Sequence, residues 1–200
     1  MHEIVDRINN IIDKISDSDI EKMVNVIKAK GNENRIFVIG VGRSGLVARM
    51  FAMRLVHLGL TVYVVGEIVT PAVKKEDLII AVSGSGGTKS IITTMKIAKD
   101  IGAEILSVTS NPESEMGLLS DIVVDLRVKR GAIFDVKKDY FADQIRGDYV
   151  TKTYTKEELM PLGTLFEDTA MIFFDGIIAA LMVELEQTCE TMGKRHATLE

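Results

Sequence analysis

Residues 36–45 read IFVIGVGRSG. No polar residue interrupts the apolar ones from Ile36 to Ile39, which is the pattern of a strand buried on both faces rather than on one. Glycines follow at once: Gly40, Gly42 and Gly45 fit the G-x-G-x-x-G spacing of a strand-to-helix turn that can hold a dinucleotide. Residues 46–58 are then of helix length, with Val47, Phe51, Leu55 and Leu58 along one side and Leu46, Met50, Met53 and His57 along another. A helix that is apolar nearly all round needs cover on several sides. Strand, glycine turn and buried helix in this order predict the start of a βαβ unit.

Four further apolar runs repeat the theme: TVYVV at 61–65, LIIAV at 78–82, EILSVT at 104–109 and DIVVDLRV at 121–128. The segments between them suit helices, so the strands should pair in parallel. Gly59 and Gly102 stand just before the second and fourth runs, where glycines that end helices belong. The expected fold is a three-layer α/β sandwich, flavodoxin-like or Rossmann-like, around a five-stranded parallel sheet.

Outside this core, residues 1–33 should form one or two leading helices. Ser18 and Glu21 fit a capping box; Ile20, Met23, Val24 and Ile27 share a face, and Gly31 ends it. Residues 129–158 turn charged and aromatic with no sustained period, which suits a long connection or lid. A long C-terminal helix over 164–186, within a closing segment 159–200, completes a single domain spanning 1–200.

Composition narrows the function. The chain has 200 residues, 46% of them hydrophobic, enough for one core. A net charge of −5 with no basic run argues against nucleic acid. Cys189 is the one cysteine, so no intrachain disulfide or cysteine-built zinc site is possible, and a reducing, cytoplasmic setting is expected. The apolar stretch 170–183 is too short for a membrane span and contains Asp175.

In an open parallel sheet, ligands gather at the carboxyl ends of the strands. Two glycine loops belong there: GVGRSG at 40–45 and SGSGGTKS at 83–90. A dinucleotide needs only the first, plus an acid after the second strand, and Glu67 stands rather late for that role. In the second loop Gly84, Gly86 and Gly87 open the backbone to an anion, Ser83, Ser85, Thr88 and Ser90 offer hydroxyls, and a helix starting near Thr88 aims its N–H groups the same way. Thr88 precedes Lys89, so the nucleoside-triphosphate loop spacing is not met. The alternatives are a cradle for one phosphate or a plain strand-to-helix turn.

Taken together, GVGRSG, SGSGGTKS and an acid-bearing last helix resemble the sugar isomerase, or SIS, domain family. The stretches FAMRLVHLGLTVYVVGEIVTP and PLGTLFEDTAMIFFDGIIAALM and the late KRH are similar to its 6-phospho-3-hexuloisomerase branch, over about residues 20–196. Gly87 departs from the family, which often has Glu there. The resemblance implies a cofactor-free and metal-free isomerase of a phosphorylated ketohexose, interconverting 3-hexulose 6-phosphate and fructose 6-phosphate through an enediol. It also implies a homotetramer. A phosphoheptose isomerase and a regulatory module that binds a sugar phosphate without turning it over are the alternatives. Gly42, Arg43 and Ser44 would contact the sugar, and Ser83, Gly84, Ser85, Gly86 and Thr88 the phosphate.

Proton transfer between adjacent carbons needs a base. Glu167 shares a helical line with Met171, Phe174 and Ile178, and a carboxylate on an apolar face has its pKa raised by desolvation. Thr164 and Glu167 equally fit a capping box, and the family resemblance favours the base. Asp168 and Asp175 lie on another face, as packing or interface groups. His57 is either a core residue or a catalytic group. His196, in a polar tail, is a candidate because SIS isomerases use a histidine from a neighbouring subunit.

Overall fold

The computed structural model describes residues 2–31, 34–128 and 164–196. Five strands form one sheet: β1 (Ile36–Gly40), β2 (Val62–Val64), β3 (Leu78–Val82), β4 (Glu104–Thr109) and β5 (Ile122–Asp125). Their order is β2-β1-β3-β4-β5 and every pairing is parallel, with Gly40 opposite Val82, and Val82 opposite Val108. This is the expected α/β sandwich.

Alternate residues of the strands explain the uninterrupted apolar runs. Ile36, Val38, Leu78, Ile80, Val82, Leu106 and Val108 pack towards α2 (Asp17–Gly31), α3 (Gly42–His57) and α6 (Thr164–Glu184). Phe37, Ile39, Ile79, Ala81 and Ile105 pack on the other face, towards α4 (Lys89–Ile101) and α5 (Glu115–Leu119). With both faces covered there is no solvent side to carry polar residues. Each of these side chains other than that of Ala81 contributes about 1.5–3 kcal/mol on burial.

The leading segment forms α1 (His2–Ile12) and α2. α2 begins at Asp17, slightly before the Ser18 box, because the Ser16 carbonyl accepts from the amides of Asp19 and Ile20. Met23, Val24 and Ile27 are buried as expected. α3 departs from expectation: Val47, Phe51, Leu55 and Leu58 are buried, whereas Leu46, Met50 and Met53 are 64%, 44% and 46% exposed. Among the described residues, one of its two apolar sides packs into the core, and on the other only His57 is buried, beside His196. Gly59 and Gly102, both at φ +93°, lead out of α3 and α4 where the sequence places them. A short α7 (Cys189–Gly193), capped by Thr188, follows α6. The connection expected at 129–158 lies outside the described residues.

The strand order sets the site. From β1 the chain moves outward to β2, then returns past β1 to β3, so the helices after β1 and β3 lie on opposite faces of the sheet. The carboxyl ends of these neighbouring strands therefore leave a crevice between diverging loops. Both glycine loops are there. α3 and α6 run side by side in one direction, with the Phe51 and Phe174 rings stacked at 4.2 Å, so the start of α6 is also brought to this edge.

Candidate active site

The first loop is shaped by contact between its own glycines. A Cβ on Gly40 would lie 2.9 Å from Gly45 Cα, and one on Gly45 would lie 2.8 Å from the Gly40 carbonyl oxygen. These two positions let α3 start hard against β1. The motif is satisfied by packing, and the acid considered for a ribose, Glu67, is ion-paired instead with Arg49 on α3. Gly42, with open space around its Cα, and Arg43 and Ser44 form the first turn of α3 at the mouth of the sheet.

In the second loop the hydroxyls gather. Ser83 Oγ lies 3.3 Å from Ser85 Oγ and 3.0 Å from Thr88 Oγ1. The amides of Gly86 and Gly87 donate to Ser83 Oγ and Ser85 Oγ, both at 3.2 Å. Those two N–H groups are bonded to the serine hydroxyls, which are themselves linked to each other and to Thr88. The room at two of the three glycines is also taken by the protein itself. A Cβ on Gly84 would meet the Phe166 ring, and one on Gly86, at φ +63°, would collide with Ser114 Oγ. Gly87 keeps an open approach. Thr88 makes no side-chain bond to the first turn of α4, so that helix end also faces the crevice uncapped by its hydroxyl.

Glu167 is 9% exposed in the first turn of α6. Its Oε1 accepts from Ser44 Oγ at 2.9 Å, while Oε2 is buried and has no hydrogen-bond partner among the described residues. Among the described residues Arg43 is the cation paired with it, with Nε 3.9 Å from Oε2, too far for a hydrogen bond; the same guanidinium is 3.8 Å from Asp168. Burial pushes the Glu167 carboxyl above its usual range, and the Ser44 bond and Arg43 charge offset this only in part. A carboxylate so placed, its pKa raised by burial and one oxygen without a hydrogen-bond partner among the described residues, has the character of a base that takes a proton from carbon. The side chain read as a possible helix cap reaches across to α3.

The two candidate histidines lie elsewhere in the fold. His57 ends α3, roughly 20 Å along the helix from Ser44 at 1.5 Å per residue. It is 6% exposed, and its ring centroid is 4.9 Å from that of His196. Arg195 donates to the His57 carbonyl at 3.1 Å and to Gln187 at 2.9 Å, tying the polar tail to the amino-terminal edge of the sheet. Within one chain the structure brings Arg43, Ser44, Glu167 and loop 83–88 together, and leaves His57 and His196 apart from them. Asp175, on the outer side of α6, is 4.0 Å from Arg54.

Residues not singled out from sequence also reach this edge. The Ser110 amide donates to the Gly84 carbonyl at 3.3 Å, and Asn111 Nδ2 donates to the Ser85 carbonyl at 3.4 Å. Their signal was positional, because they follow β4, whose end lies beside that of β3. Among the described residues no three His, Cys, Asp or Glu side chains gather as a metal site, and no helix is long and apolar enough to cross a membrane.

Comparison with known proteins adds to this geometry. The SIS domain family profile matches residues 31–142. An uncharacterized protein of Aeropyrum pernix is 45% identical, with the match covering 100% of this chain and 91% of that one. The 3-hexulose-6-phosphate isomerase of Bacillus subtilis is 36% identical over 99% of this chain and 96% of its own. A crystal structure of a hypothetical protein from Methanococcus jannaschii, for which a 3-hexulose-6-phosphate isomerase function was inferred, superposes with a TM-score of 0.73. That protein is 34% identical, over 92% of this chain and 86% of its own. The profile spans more than half of the sequence and near full-length relatives agree with it: the chain belongs to the SIS domain family.

Proposed function

We infer that the protein is an isomerase interconverting 3-hexulose 6-phosphate and fructose 6-phosphate. The near full-length relatives that carry the name 3-hexulose-6-phosphate isomerase support the reaction. In the direction from fructose 6-phosphate, a base removes the proton from C3, giving an enediol with its double bond between C2 and C3. The proton returns to C2, the O3 proton is lost and O2 gains one, leaving the carbonyl at C3. No electrons leave the sugar.

We assign the base to Glu167 Oε2, and the observation that carries the assignment is its burial beside Ser44 with one oxygen uncommitted. Ser83, Ser85 and Thr88, with the start of α4, hold the phosphate. Arg43 compensates the enediolate charge from the rim, and Gly42 leaves the sugar room. A catalytic part for His57 or His196 requires them to arrive from a second copy of the chain. The exposed apolar side of α3 supports an oligomer, and we take a tetramer as the assembly.

Incubation with fructose 6-phosphate in deuterated water tests the reaction. Deuterium should enter the sugar with wild-type protein, and Glu167→Gln should cut exchange by about 1,000-fold or more while still binding the sugar phosphate. Saturable binding without exchange by wild-type protein would instead mark a sensor. A fully active Glu167→Gln variant would overturn the base assignment.

A further inference from the structure

Gly84 belongs to the loop assigned to the phosphate, and Phe166 immediately precedes the residue assigned as base. A Cβ on Gly84 would lie 2.9 Å from Phe166 Cγ, 3.0 Å from Cδ1 and 3.3 Å from Cδ2, so the ring packs directly over the Gly84 Cα. The three atoms nearest to that Cβ all belong to the Phe166 ring. Gly84 is not among the glycines with positive φ, so its backbone conformation admits any residue. Phe166 is itself 5% exposed, fixed in the core from behind, and the Gly84 carbonyl is held by the Ser110 amide at 3.3 Å. Neither partner has room to drift.

We propose that Phe166 is a positioning residue: its contact with Gly84 sets the distance between the phosphate-holding hydroxyls and the Glu167 carboxylate. The proposal rests on the base and phosphate assignments above. A sugar anchored by its phosphate presents C2 and C3 at a fixed reach from the loop, so the base must stand at a matching place. Ser44 fixes Glu167 from the α3 side, and Phe166 fixes the same turn of α6 from the β3 side. A misplacement of about 1 Å in such an arrangement can cost on the order of 100-fold in rate.

The test uses Gly84→Ala, Phe166→Leu and the double variant, measuring kcat, KM and competitive inhibition by inorganic phosphate. Gly84→Ala should lower kcat by about 10- to 100-fold, with KM and phosphate inhibition changed by no more than about threefold. Phe166→Leu should lower kcat by about three- to tenfold with KM kept. The double variant should regain kcat over Gly84→Ala, because the smaller side chain makes room for the new methyl group; losses of this kind are non-additive. Losses that multiply, or an unchanged kcat in Gly84→Ala, would overturn the proposal. Should Gly84→Ala fail to fold by circular dichroism, Phe166→Leu decides alone, with a kcat loss at constant KM in favour and a KM loss at constant kcat against. An active Glu167→Gln variant would remove the base assignment itself, whereas an inactive one with multiplying losses would remove only this coupling.

Discussion

Ser44 and Glu167 are 123 positions apart in the chain and joined by a 2.9 Å hydrogen bond, which ties the first glycine loop to the first turn of α6. The donated proton stabilises the charged carboxylate and opposes the effect of burial. Ser44→Ala should therefore raise the Glu167 pKa further. The acid limb of the kcat/KM profile should move to higher pH, and kcat should fall by about 10-fold through loss of orientation. A pH profile with an unmoved acid limb would show that the limb reports another group.

The raised pKa also carries a stability cost of known sign. Glu167 holds its proton more tightly in the folded chain than in the unfolded one, where its value stays near 4.5. Folded stability therefore declines as pH rises from 4.5 through the folded value, and the loss persists above it. Glu167→Gln, which needs no charge in that place, should melt at a higher temperature than wild type near about pH 8. The gain should vanish near about pH 4. Thermal unfolding at the two pH values checks this, and an equal difference at both would contradict it.

Much of this was legible in the chain because burial on both faces writes strands as unbroken apolar runs. IFVIG and LIIAV lie in the centre of the sheet and match their strands to the residue, whereas the edge runs around Val62–Val64 and Ile122–Asp125 are trimmed. Glu167 and the serine loop could be named since they are local patterns. Pairings across the fold could not. Nothing near Gly84 announces Phe166, and nothing near Glu167 announces Ser44, because each contact depends on how α6 packs against β3 and α3. Helical periodicity likewise shows that α3 has two apolar sides without saying which one meets the sheet. Periodicity groups His57 with Leu46, Met50 and Met53, yet it is buried and they are exposed.

Gly86→Ala should weaken phosphate binding. At φ +63° the new side chain is strained, and its Cβ collides with Ser114 Oγ, so the turn that presents Ser83 and Ser85 must shift. The expected result is a KM about 10-fold higher or more, a parallel loss of inhibition by inorganic phosphate, and about 1–3 kcal/mol less stability. Unchanged phosphate inhibition would remove this loop from the phosphate site.

Asp77 has a purely structural part that sequence gave no reason to notice. It is 3% exposed and accepts from the Arg35 guanidinium at 2.6 and 3.2 Å, from the Lys74 amide at 2.6 Å and from the Arg35 amide at 3.2 Å. Burial pushes its carboxyl up, but these donors together hold it below the ordinary value of 3.8. Its contribution is present above pH 3.8 and is lost as pH falls through the lower folded value. Asp77→Asn should cost about 2–4 kcal/mol at neutral pH, measured by urea unfolding, with a smaller difference from wild type in strong acid.

The outer side of α3 yields the last prediction. Met50, Met53 and Met171 line a groove with Phe51 and Phe174, and Leu46 and Ile172 are exposed on the same two helices. Water-facing apolar residues gathered on adjoining helices mark a surface that is covered by a partner. Arg54 and Asp175 line the same groove and lie 4.0 Å apart as an ion pair. Light scattering on wild-type protein should give an oligomer at about micromolar concentration, and Met53→Glu should shift it to smaller species by placing a charge in the covered face. Activity should fall with assembly if a neighbouring subunit supplies a histidine to the site. A clean wild-type monomer would rule out the oligomer and, with it, any part for His57 or His196 in the proton transfer.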